Sequence, residues 1–131
     1  QSLSSAASDV YKRQVYMLIS MRVQSYSYIG ETKNLSQRLH QHNSGYGATG
    51  TSPAAYRPFC LFAYICKFNC NHALMRHVEH QWKVYRNRLI ENGNRCPKAI
   101  ARSANNMLEN MTHTSQENIS SELRLICNFT D

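Results

Sequence analysis

No apolar run in this chain approaches the ~20 residues that a membrane-crossing helix needs. The longest, Phe59 to Cys66, has the length of a strand. Acidic residues are few, 8 against 15 lysines and arginines, and the formal net charge is +7. That balance favours polyanionic partners over basic ones, although charge alone leaves nucleic acid at even odds. The cysteines lack order: Cys60, Cys66, Cys70, Cys96 and Cys127 are odd in number and follow no recognised finger spacing. Cys66, Cys70 and His72 have no second pair to complete a zinc site. With no apolar leader ahead of them, the cysteines suit a reduced, cytoplasmic setting, nucleoid-associated in a bacterium. Cys60 and Cys66 sit within the apolar run and read as small buried hydrophobes. No internal repeat is present, and 131 residues allow one modest core.

Residues 1–14, QSLSSAASDVYKRQ, have neither strand nor helix period. They read as a non-native or disordered N-terminal segment with the look of a translated sequencing-adapter artefact. Residues 15–93 read as the folded core, and 94–131 as a C-terminal extension holding a helix, then a loop or a last strand. Val15 to Ser20 and Tyr26 to Gly30 are β-branched and aromatic, joined by a polar hairpin, and the period of two puts Tyr26 and Tyr28 on one face. Thr32 or Asn34 caps a helix to about His42, with Leu35 and Leu39 inward and Arg38 and His42 at the edge of the apolar stripe. Residues 43–57 form a loop, and Pro58 to Lys67 a strand covered on both faces. A longer helix spans Asn71 to Glu91, its stripe set by Leu74, Val78, Trp82, Tyr85 and Leu89, and Gly93 ends it. Pro97 to Leu108 form a further helix, Glu109 to Ser120 a loop, and Leu123 to Phe129 a last strand. The order predicts an α+β fold with a small sheet between helices.

Two tyrosines on a hairpin, Arg38 and His42 one turn apart, and Glu79 on the long helix suit phosphodiester hydrolysis. One carboxylate plus waters is a usual ligand set for Mg²⁺. A guanidinium fork neutralises phosphoryl oxygens, and a tyrosine or histidine can orient or deprotonate water. Each residue also has a plain alternative. Tyrosines favour strands anyway, and Glu79 precedes Lys83 by four residues, an exposed helix pair worth only ~0.3–0.5 kcal/mol. His40, His72, His77, His80 and His113 form no comparable pattern. The loop at Ser44 to Ser52 can be read as a phosphate contact or as a simple connection. Lys67, Arg76, Lys83, Arg86, Arg88, Arg95, Lys98 and Arg102 spread the positive field over several helix faces.

From about residue 15 to 92 the chain resembles the GIY-YIG nucleases. Val15-Tyr16 matches the end of the first signature triplet and Tyr28-Ile29-Gly30 the second, with eleven residues between the tyrosines. Arg38 stands ten residues after Tyr28, His42 completes R-x-x-x-H, and Glu79 in RHVEHQWK matches the metal-binding glutamate. The resemblance implies a three-stranded, mostly antiparallel sheet flanked by helices. It also implies a DNA endonuclease in repair, recombination or mobile-element biology, with Tyr16, Tyr28, Arg38, His42 and Glu79 at the site and Glu79 holding Mg²⁺ or Mn²⁺. DNA is the expected partner, with no membrane and with room for a targeting protein. Two departures stand out: Gln14 replaces the first triplet's glycine, and Glu31 follows YIG where some repair-type members carry lysine. Asn92 and Asn94 are the nearest counterparts of a late family asparagine. The departures keep a second reading open, a catalytically inactive nucleic-acid-binding module of the same fold.

Overall fold

Alternating side chains decide how the first strand is used. β1 (Arg13–Ser20) runs through the interior of a four-stranded sheet, and Val15 to Ile19 are completely buried on both faces. The structure, a computed structural model, describes residues 13–67, 72–114 and 122–125. The sheet order is β2-β1-β3-β4, with β2 (Ser27–Thr32), β3 (Phe59–Lys67) and β4 (Glu122–Leu125), every neighbouring pair antiparallel. The first three strands and their flanking helices are the α+β fold that the sequence predicts. β4 adds to the outer edge of β3 and pairs Leu123 with Ile65; the rest of the expected last strand lies outside the described residues.

β1 begins two residues before the expected Val15. Gln14 pairs with Thr32 on one side and Cys66 on the other, and Arg13 donates to Glu31 at 2.6 Å. Odd-numbered residues Val15, Met17 and Ile19 join Ile29, Ala63 and Ile65 in the larger core, with Cys60 packed against it. Two helices close that face. α2 (His72–Glu91) contributes Met75, Val78 and Trp82, and α3 (Pro97–Thr114) contributes Ile100, Ala104, Met107 and Met111. Each large apolar side chain buried here contributes ~1.5–3 kcal/mol. Trp82 Nε1 donates to Ile100 O at 3.0 Å, which ties α2 to α3 without leaving a buried donor unpaired. The expected end of α3 at Leu108 is corrected to Thr114, since Met107 and Met111 continue the stripe at i, i+4 and are buried.

Even-numbered residues face the other way. Tyr16 and Leu18 pack with Phe59, and Tyr28, Leu35, Leu39 and Tyr64 lie half-buried against them. The covering element is α1 (Leu35–Asn43), capped by Asn34, whose Oδ1 accepts from Gln37 N at 3.1 Å. Asn43 clamps the end of α1 to β3, donating to Phe59 O at 3.1 Å and accepting from Phe59 N at 2.7 Å. The loop between them contains two short 3₁₀ turns, Thr49–Thr51 and Ala54–Tyr56. Among the described residues, no helix is long and apolar enough to cross a membrane.

Candidate active site

The pleat of β1 aims Tyr16 at α1, and the helical repeat aims His42 back at it. Tyr16 Oη and His42 Nε2 are 2.7 Å apart, and both residues are fully buried. His42 Nδ1 lies 2.6 Å from Thr51 Oγ1, and the Thr51 hydroxyl donates to Ala48 O at 3.3 Å. With its proton directed there, Thr51 oxygen accepts from Nδ1–H. Nε2 is then the bare nitrogen, and Tyr16 O–H donates to it. The result is a chain of donors running from Tyr16 through His42 and Thr51 to a backbone carbonyl.

Two glycines let these groups meet. A Cβ on Gly30 would come 2.6 Å from Tyr16 Oη and 2.9 Å from Tyr28 Cε2, so the YIG glycine seats both rings against the backbone. A Cβ on Gly47 would come 2.3 Å from His42 Nδ1 and 2.8 Å from its Cα. The 43–57 segment is therefore part of the site: it presses on His42 and supplies Thr51. Tyr26 fastens this loop by donating to Gly50 O at 2.5 Å and stacking on Tyr56 with ring centroids 4.0 Å apart.

Tyr28 completes the cluster, its ring centroid 6.2 Å from that of Tyr16 and 4.8 Å from that of His42. Burial holds the Tyr16 hydroxyl well above the ordinary tyrosine pKa, reinforced by Tyr28 and by the Glu79 charge. Arg38 works against this, through a hydrogen bond to Tyr16 and through its own charge. Its guanidinium is steadied by Gln41, with Nη1 donating to Oε1 at 3.0 Å. Burial, and next the Arg38 charge, press the His42 pKa down from 6.5 to about 4. The imidazole is thus neutral at ordinary pH.

Glu79 projects from α2 with its side chain 21% exposed and takes a 2.7 Å ion pair from Lys83. Its charge reaches Tyr16. Glu31, the acid that follows YIG, is engaged by Arg13 at 2.6 Å and lies 3.3 Å from His72 Nε2. Among the described residues, no three His, Cys, Asp or Glu side chains converge to cage an ion. One accessible carboxylate beside a tyrosine is instead the donor set of an open site. It suits a hard divalent cation that keeps its waters and takes further oxygens from a phosphate.

The depressed His42 pKa has a testable effect on stability. Between pH 6.5 and about 4 the unfolded chain binds a proton that the folded one refuses, so this contribution is full above pH 6.5 and declines as pH falls toward 4. For the metal-free protein, urea unfolding at pH 7 and pH 5 should differ by on the order of 2 kcal/mol from this group. A His42→Gln variant should show a correspondingly flatter dependence. Equal slopes for the two proteins would remove the buried neutral imidazole from the account.

The structure thus gathers Tyr16, Tyr28, Arg38 and His42, with Glu79 within electrostatic reach. Asn92 and Asn94 are exposed beyond the end of α2, and Asn94 Oδ1 accepts from Cys96 N at 3.0 Å. His40, His77 and His80 are exposed, Cys70 lies outside the described residues, and so does the side chain of His113. Sequence reasoning missed Thr51 and Gly47, because a Gly/Ser/Thr-rich loop has no period to show which hydroxyl turns inward. The one usable signal was the glycine and threonine content of a loop directly following His42.

The comparisons with known proteins agree with this geometry. No curated protein matches the chain. A family model, the GIY-YIG catalytic domain, matches residues 12–92, which hold both tyrosines, Arg38, His42, Thr51 and Glu79. With more than half of its length so matched and its sheet and helices arranged as described, the chain belongs to the GIY-YIG family of endonucleases.

Proposed function

We propose that this protein is a metal-dependent DNA endonuclease whose residues 15–93 carry the chemistry. The observation that carries it is the buried Tyr16–His42–Thr51 chain, with Arg38 and Glu79 acting on its tyrosine end. Tyr16 is held protonated and His42 neutral, so neither is a base at rest by itself. Together they form a relay. As water oxygen bonds to phosphorus, its proton passes to Tyr16 Oη, which substrate binding must first uncover, and the tyrosine proton passes to His42 Nε2. The phosphorus–oxygen bond to the leaving strand breaks, and that oxygen takes a proton from solvent. Thr51 holds the tautomer that leaves Nε2 free.

Arg38 favours charge on Tyr16 and offers its donors to the phosphoryl oxygens. Tyr28, the more exposed of the two rings, orients water and substrate. Glu79 would hold Mg²⁺ or Mn²⁺, which supplies charge neutralisation at the phosphate and an acidified water. The basic balance fits DNA as substrate, the family's chemistry supports a role in repair, recombination or mobile-element biology, and the unordered cysteines fit a cytoplasmic setting. A targeting protein partner would supply selectivity, since α3 is occupied in closing the core rather than presenting a reading head.

Incubation with supercoiled plasmid and branched DNA in Mg²⁺, Mn²⁺ or EDTA tests this directly. Metal-dependent nicking is the expected outcome. A folded protein that binds DNA with a steep salt dependence but nicks nothing in any metal would instead be a binding module of the same fold.

A further inference from the structure

A cleft of about 360 Å³ opens between β2 and α2, directly beside the tyrosine cluster. One wall carries Tyr26, Tyr28 and the hydroxyls of Ser25 and Ser27; the other carries Lys83, Arg86 and Arg95. Among the described residues, no acidic side chain lines it. Tyr28 belongs to both the cleft and the reaction cluster, and Lys83, on the opposite wall, holds Glu79, so the cleft adjoins the reaction cluster.

Arg86 is the informative residue. It is half-buried, and desolvation lowers its pKa below the ordinary guanidinium value. Among the described residues no carboxylate pairs with it; its Nε donates to Asn87 Oδ1 at 3.2 Å. A cation drawn out of water without a counter-ion, at the wall of an open polar cleft, is poised for an anion from outside. Glu79, Lys83, Arg86 and Ile90 recur at four-, three- and four-residue steps, so they share one face of α2. The rise of a helix places Arg86 roughly 10 Å along that face from Glu79. That is about two helical turns along the wall of the cleft.

We infer that this cleft holds the nucleotide next to the scissile bond, its phosphodiester on Arg86 and Arg95 and its sugar and base along the tyrosine and serine wall. The assignment rests on the nuclease reading, since it takes the cleaved strand as occupant. It is also accessible through binding alone. The strand is gripped beyond the bond that breaks, so the cleft contributes affinity and register rather than chemistry.

The test uses fluorescence anisotropy with a labelled DNA oligonucleotide in EDTA, between ~50 and ~200 mM salt. Arg86→Gln should weaken binding about tenfold and reduce the salt slope by about one. Arg86→Lys should recover part of the affinity, and Arg95→Gln, which alters an exposed residue and leaves the fold undisturbed, should weaken binding severalfold. Arg102→Gln on α3 serves as the control and should bind as the wild type does. In cleavage assays Arg86→Gln should raise KM with kcat at saturation retained. Arg86→Gln and Arg95→Gln proteins with wild-type affinity and slope would overturn the inference, as would a wild type that binds no DNA. Intact binding effects in a protein that never cuts would support the cleft while removing the nuclease reading.

Discussion

Glu79→Gln should bind DNA nearly as the wild type does and cut it at least ~10³-fold more slowly, a loss of about 4 kcal/mol in the barrier. The substitution keeps the shape and removes only the charge. The ion pair with Lys83 is a part-exposed i, i+4 helix contact, a kind worth ~0.3–0.5 kcal/mol, so the fold has little dependence on it. Glu31 is not free to replace it, since it is engaged by Arg13 at 2.6 Å and lies 3.3 Å from His72 Nε2. Single-turnover cleavage and thermal unfolding, measured on the same preparation, separate the two effects. Cleavage by the variant at a tenth of the wild-type rate or better would show that Glu79 is only the partner of Lys83.

The second large effect is expected at the tyrosine that solvent does not reach. Tyr16→Phe removes the first member of the proton relay and leaves Nε2 of a buried histidine without its donor. General acid–base assistance is worth ~10²–10⁴-fold, and that is the expected fall in kcat. The stability loss should stay near ~1–3 kcal/mol, the penalty for an unsatisfied buried polar atom. Tyr28→Phe should cost less, because Tyr28 has no hydrogen bond to His42 and its ring packing survives the change. The opposite ranking, with Tyr28→Phe the slower enzyme, would move the base to Tyr28. Rate profiles against pH sharpen the comparison: with the intact relay, His42 titrates near pH 4, so the acid side of the wild-type profile should not break at the usual histidine value.

What the sequence could and could not reveal divides along physical lines. Tyr16 and Tyr28 were legible through the two signature triplets the chain shares with the GIY-YIG nucleases, since the strand period of two by itself singled out only Tyr26 and Tyr28 as sharing a face. Arg38 and His42 were legible because one helical turn separates them beside a leucine stripe, and Asn34 was recognisable as a cap for the same helix. The partnership of His42 with Thr51 was not, since it depends on a loop whose course follows from a close approach at Gly47 and from the Tyr26–Gly50 bond. Arg86 was lost among basic residues on several faces of the same helix. It is distinguished by what stands opposite, Tyr28 of the neighbouring strand and Tyr26 just before it. The end of α3 was misjudged because the exposed Asn and Glu residues of its last turns mask two buried methionines.

The alternation along β1 bears on how such a protein can change over time. Val15, Met17 and Ile19 serve one face and Tyr16 and Leu18 the other, so selection can act on the two sets almost independently. A lineage can discard the tyrosine face, and with it hydrolysis, while the helix-covered face keeps the molecule folded. It can equally exchange one substrate for another without renegotiating its stability. The insertion or deletion of one residue within the strand is the change it cannot absorb, because every side chain would then trade faces at once.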